Sequence, residues 1–121
     1  MISLEQLTDY CMNFPESTQD FPFDQETMVF KVCGKMFALV NVAWWMNGDE
    51  RMNVKCEPEY ALELRDQYES IKPGYHMSKK HWNTINVNDG ELSRKQIFIF
   101  IKESYDLVIS KLPKKDQERL A

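Results

Sequence analysis

Residues 28 to 43 constrain the fold of this chain more than any other stretch, because apolar side chains alternate on both sides of one glycine. Met28, Phe30 and Val32 fall on one side of an extended strand and Val29, Lys31 and Cys33 on the other, and Met36 to Ala43 continues as a second strand. Gly34-Lys35 between them predicts a two-residue hairpin of type II′, since glycine accepts the positive φ of its first position. Trp44-Trp45-Met46 then leads into Asn47-Gly48, a type I′ signal, and Arg51 to Cys56 returns with Met52, Val54 and Cys56 inward. The centre therefore reads as an antiparallel meander. In that reading Trp44 and Trp45 split between the two faces, leaving one indole exposed near the turn.

Helices flank this meander. Ser3 and Gln6 make a capping box, Leu4, Leu7, Cys11 and Phe14 share one helical face, and Pro15 ends the helix. Phe14 to Gln25 has no clean period and reads as an ordered loop. Pro58 suits the first position of a second helix that runs to about Tyr68, with Ala61, Leu64 and Tyr68 in one stripe. Pro73-Gly74 breaks the chain, and His81 to Val87 reads as a fourth strand with Ile85 and Val87 inward and Trp82, Thr84 and Asn86 outward. The run Ile97 to Ile101 suits a buried strand or a helix. The Ser93/Gln96 capping box and the face made by Ile97, Ile101, Val108 and Leu112, beside Phe100, Ser104 and Tyr105, decide for a helix of roughly 20 residues ended by Pro113. The order α-β-β-β-α-β-α describes one domain over residues 1–121. Its class is α+β: a two-layer sandwich, mainly antiparallel, with terminal helices packed on one face.

Composition narrows the function classes. The chain carries a net charge of −4, with 43% hydrophobic and 28% charged residues, as ordinary globular proteins do. The opening residues lack a basic, apolar leader pattern, and no run approaches the roughly 20 apolar residues of a membrane span, so a cytoplasmic protein is expected. Cys11, Cys33 and Cys56 have no metal-binding spacing and read as buried, reduced thiols. Ser104, within SYDLV, lacks nucleophile-elbow glycines and is placed mid-helix, and no phosphate-cradling glycine loop occurs. A non-enzymatic protein without a cofactor is expected.

Charge is unevenly spread. Residues 1–30 hold six acids and no Lys or Arg, whereas Lys72, Lys79 and Lys80 lie in an acid-free stretch from 70 onward that includes Gly74 to Ile85, GYHMSKKHWNTI, once Glu69 is passed. This segment predicts phosphate contacts from Lys72, Lys79 and Lys80, hydrogen bonds from His76 and His81, and a stacking surface from Tyr75 or Trp82. The alternative is that Tyr75, Met77 and Trp82 tuck into the core edge and the lysines are merely solvated. Three lysines are few, so binding to duplex DNA would be weak, by a monomer or a weak dimer.

The same segment, with VFKVCGKMFALV from Val29, KCEPEYALELR from Lys55 and SYDLV from Ser104, resembles the MmcQ/YjbR family of small bacterial proteins. The resemblance covers roughly residues 20 to 113 and implies a CyaY-like, frataxin-type fold and DNA binding, with Asn83 as a further polar contact. Two other functions are weighed against it. One is a protein-interaction module using exposed aromatics near Trp45 and Trp82. The other, by fold analogy with frataxin-like proteins, is a hard metal held by Glu5 and Asp9, which share a face of the first helix. His76 and His81 are poor metal ligands, since their spacing fits no helical face and the neighbouring lysines repel a cation.

Overall fold

The structure is a computed structural model that describes residues 1–120. In chain order its elements are α1 (Leu4–Met12), β1 (Ser17–Asp20), β2 (Thr27–Val32), β3 (Lys35–Asn41), α2 (Val42–Met46), β4 (Arg51–Lys55), α3 (Pro58–Gln67), β5 (Ile71–Pro73), β6 (Trp82–Asn86), α4 (Arg94–Ser110) and α5 (Lys114–Leu120). The strands form one six-stranded sheet in the order β1-β2-β3-β4-β6-β5, and every neighbouring pair is antiparallel. α1, α3 and α4 supply core residues to one face, so the expected α+β sandwich holds, with more elements than the sequence showed.

The central hairpin forms, with its turn one residue earlier than expected. Val32 pairs with Lys35, and Cys33 and Gly34 both have positive φ, the signature of a type I′ turn. Along β3, Phe37 is an extra residue between the pairs Lys31–Met36 and Phe30–Ala38, a bulge that puts Phe37 and Ala38 both in the core.

Ser104 joins this bulge to α4. The β3–β4 ladder stops at Ala38–Val54, and the fully buried Ser104 hydroxyl sits where the next bond would form. It accepts the Lys55 N–H at 2.8 Å and donates to the Phe37 carbonyl at 2.6 Å. Around it Phe14 stacks on Tyr105 at 4.5 Å and Phe37 meets Tyr105 edge-on at 5.3 Å, while Tyr105 donates to the Pro15 carbonyl. These contacts dock α1 and α4 on the same patch of sheet.

Five local readings are corrected. Asn47-Gly48 does not turn a hairpin. Asn41 caps the short helix α2, and the bonds from Gly48 N to Trp45 O and from Asp49 N to Trp44 O close it in a Schellman motif with Gly48 at positive φ. Both indoles thus leave a helix, with Trp45 5% exposed in the core. β1 replaces part of the expected loop, and its mostly exposed Ser-Thr-Gln-Asp has no apolar alternation because it is an edge strand. β5 was also unforeseen, being three residues long with Pro73 at the sheet edge, where a missing N–H is tolerated. α4 spans 17 residues, and beyond Pro113 the chain resumes as α5.

The thiols divide. Cys11 and Cys56 are buried, whereas Cys33, in the hairpin turn, is half-buried with its Sγ 3.2 Å from the Arg119 guanidinium. Burial pushes the Cys11 thiol up to about 12 and is the main cause lifting Cys56 to about 11. Both stay protonated at neutral pH and are poor nucleophiles. Titration of the native protein with a thiol-exchange reagent at pH 8 should therefore show one fast group, Cys33, and two more only after denaturation.

Ser104→Ala should lower unfolding free energy by about 2 kcal/mol, because Lys55 N–H and Phe37 C=O lose their shared partner in a dry site. Urea denaturation should show a lower midpoint with an unchanged slope.

Candidate functional site: an aromatic cleft on the open sheet face

The face of the sheet away from the helices is covered by a loop instead. Val29, Leu39 and the indole of Trp82 form a small apolar cluster there, with Met36 and Met77 packed against it. The loop that brings Met77 over runs from Gly74 to His81, and three devices hold it. Gly74 lies against β6 so closely that a Cβ would meet Trp82 Cβ at 2.7 Å, and its N–H donates to the Trp82 carbonyl at 2.9 Å. Arg65 of α3 donates to Asn83 Oδ1 at 2.7 Å, to the Trp82 carbonyl at 3.1 Å and to the Lys79 carbonyl. Lys79 Nζ donates back to the Gly74 carbonyl at 3.0 Å.

At the start of the loop the backbone of Tyr75 is fixed by side chains that alternation turns outward. Its N–H donates to Thr84 Oγ1 at 2.8 Å, its carbonyl accepts from Asn53 Nδ2 at 3.2 Å, and the Thr84 hydroxyl donates to Asn53 Oδ1. Tyr75 is 44% exposed, and its ring lies 4.1 Å from the His76 ring and 5.3 Å from that of Trp44. The Arg51 guanidinium sits 5.2 Å from the Trp44 ring centre and 5.5 Å from that of Tyr75, within cation–π range of both. Asp49 holds it in a two-pronged pair at 2.6 and 2.7 Å. That hydrogen-bonded partner raises the Arg51 pKa beyond its already high range, so the charge is permanent. Trp44, Arg51, Tyr75 and His76 line a cleft of about 410 Å³ together with Phe23, Asp24 and Asn41.

The eight residues singled out from the sequence do not form one surface. Tyr75 and His76 border the cleft, His76 with a φ of 58° that directs the chain over it. Lys80 and His81 are exposed on the loop beyond. Lys72 is exposed and paired with Glu69 at 3.4 Å, and Lys79 is tied to its own loop. Trp82 and Asn83 are 6% and 1% exposed and belong to opposite faces of β6, so both are corrected to framework residues. The expected exposed indoles at Trp45 and Trp82 are likewise buried, and Trp44 is the one that reaches the cleft. Among the described residues, no group of three or more His, Cys, Asp or Glu side chains is placed to hold a metal, Glu5 and Asp9 included. Nor is any helix among them long and apolar enough to cross a membrane.

Arg51 and Asn53 escaped the sequence reading, Thr84 entered it only as an outward strand residue, and Trp44 only as one of two indoles of which one would be exposed. Arg51 and Asn53 alternate with inward Met52 and Val54, which was the available signal. Their convergence with Tyr75 depends on α2 and on the β4–β6 register, which pairs Asn53 with Thr84.

The model of the family described as YjbR matches residues 12–107. The chain belongs to the YjbR family. It is 42% identical over 101 residues to Escherichia coli O157:H7 YbdF, covering 83% of this chain and 79% of that protein. It is 29% identical over 119 residues to YjbR of Escherichia coli K12, covering 98% of each. Both relatives are described as uncharacterised. The crystal structure of Deinococcus radiodurans protein DR2400, carrying the family-model domain DUF419, superposes with a TM-score of 0.88 at 36% identity over 99% of this chain and 88% of that one. A Pseudomonas syringae protein superposes at 0.69 with 28% identity, over 88% of this chain and 98% of that one. The YjbR motifs quoted above contain Arg65, Gly74, Asn83 and Ser104, which all brace the framework.

Arg65→Lys should keep the charge and lose the forked contacts to Asn83, Lys79 and Trp82. Hydrogen exchange of the His81 and Trp82 amides is expected to accelerate about tenfold or more, a change of about 1–3 kcal/mol, while amides in α4 stay as protected as before.

Proposed function

We propose that this YjbR domain is a non-enzymatic binding module, and that the cleft with its bordering loop binds single-stranded nucleic acid weakly. The observation that carries the reading is the exposed Tyr75 ring, set against His76 and Trp44 with Arg51 over both aromatic rings. A rigid aromatic platform on a sheet face suits an unstacked base, and each base–aromatic stack contributes about 1–3 kcal/mol. Lys80, free of any ion pair among the described residues, supplies positive charge for a phosphate, whereas the Arg51 charge is already paired with Asp49. Several polar groups of the cleft are already committed to the fold: Asn53 and Thr84 hold the Tyr75 backbone, and Asp24 accepts from the amides of Glu26 and Thr27.

With Lys72 and Lys79 engaged, affinity should be low and should fall steeply with salt. A single-stranded ligand also replaces the duplex target that the lysine count first suggested, because the site offers ring faces more than a charged track.

A second reading is favoured by two other exposed side chains, Phe23 at 64% beside the cleft and Met46 at 72% on α2. Apolar groups at a rim suit a protein partner. A partner that co-purifies after nuclease treatment and is lost in Phe23→Ser/Met46→Ser would favour this second reading.

For the nucleic-acid reading the measurement is fluorescence anisotropy with a labelled oligothymidylate at low salt. Tyr75→Ala should weaken binding by about fivefold to a hundredfold, and Lys80→Glu should weaken it and flatten its salt dependence. Absent binding at low salt, or indifference to Tyr75→Ala, would overturn the proposal.

A further inference from the structure

A second cavity opens on the other side of the sheet, between α3 and α4, with a volume of about 350 Å³. Its floor is core surface from Leu64, Ile71, Ile85 and Phe100, each at most 8% exposed. Its mouth is ringed by Glu57, Tyr60, Glu103 and Asp106. Lys55 borders it through the strand whose N–H is held by Ser104, and its side chain alternates to the opposite face with that of its register partner Trp82. The mouth is therefore acidic and the floor apolar.

The acids are unequal. Asp106 is paired with Lys102 at 2.8 Å, whereas neither Glu57 nor Glu103 forms an ion pair among the described residues. Loss of solvation against the apolar wall, with the neighbouring Asp106 charge, raises the Glu103 carboxyl above its ordinary range. A cation at the mouth would relieve both effects, and an apolar body would displace water from the floor. An anion would meet two unpaired carboxylates, and a wholly apolar molecule would leave them uncompensated.

We infer that the α3–α4 cleft is a binding site for a small amphiphilic amine, with its protonated head at Glu103 and Glu57 and its hydrocarbon body against Leu64, Ile71, Ile85 and Phe100. The size lies within the range of small-molecule sites, roughly 300–1,000 Å³. This site shares no lining residue with the aromatic cleft, so it stands apart from the nucleic-acid reading.

The test is a chemical-shift titration of the isotopically labelled protein with n-octylamine, matched against 1-octanol and octanoate. Octylamine should shift the amides of Val54 to Glu57 and of Phe100 to Ser110 and bind more tightly than octanol, and octanoate should leave those amides unmoved. Glu103→Gln should weaken octylamine by about threefold, the scale of one partly exposed ion pair, without changing octanol. Absent shifts, equal affinity for octanol and octylamine, or an unchanged octylamine affinity in Glu103→Gln would overturn the assignment.

Discussion

A single hydroxyl sets the relation between the helices and the sheet. Ser104 occupies the gap where β3 and β4 would next exchange a backbone bond, and it satisfies one strand's N–H and the other's carbonyl from the middle of α4. Two buried polar groups are otherwise expensive to leave without partners, so the hydroxyl fixes both how far the ladder runs and where α4 lies along it. The bulge at Phe37 in the β2–β3 ladder lies at the same point of β3. It turns Phe37 into the core beside Phe14 and Tyr105, which seats α1. One face of the sheet is thereby closed by helices.

Among the described residues, the opposite face is covered by Trp82 and the loop from Gly74 to His81, with Trp44 of α2 and Phe23 at the border of the cleft. That loop is ordered because Arg65 reaches it from α3 and because Gly74 admits the backbone of β6 at contact distance. The cleft exists where the loop stops short of α2. Arg51 lies at that gap, its charge balanced by Asp49 and its flat guanidinium within cation–π range of both Trp44 and Tyr75. A guanidinium so placed is a preformed contact, since little side-chain freedom is left to lose on binding.

Most of the core was legible because periodicity reports burial. The inward sets Met28, Phe30, Val32 and Met52, Val54 and the helical face through Ile97, Ile101 and Val108 are all in the main core. What was missed had no such signal. β1 is polar because it is an edge, β5 is too short to show a period, and Asn47-Gly48 encodes either a hairpin or a helix end. Asn41, whose side chain caps α2, was the residue that distinguishes the two. At the site, sequence density misled in a specific way. Lys79, Trp82 and Asn83 cluster in the chain because they build the loop and its anchor, whereas the cleft draws Trp44, Arg51 and Tyr75 from three separate elements.

This separation bears on what family membership conveys. The motifs that mark the chain as YjbR carry Arg65, Gly74, Asn83 and Ser104, whose contacts hold β6, the loop and α4 in place. Tyr75 lies in the same motif, yet it owes its position to backbone bonds from Thr84 and Asn53 that leave its ring free. In this frame Tyr75 faces the open side of the sheet, and under the proposed function its chemistry and that of Trp44 and Arg51 would decide what the cleft accepts. For the binding proposed above, the ligand would be set by three rings and a guanidinium that the frame positions.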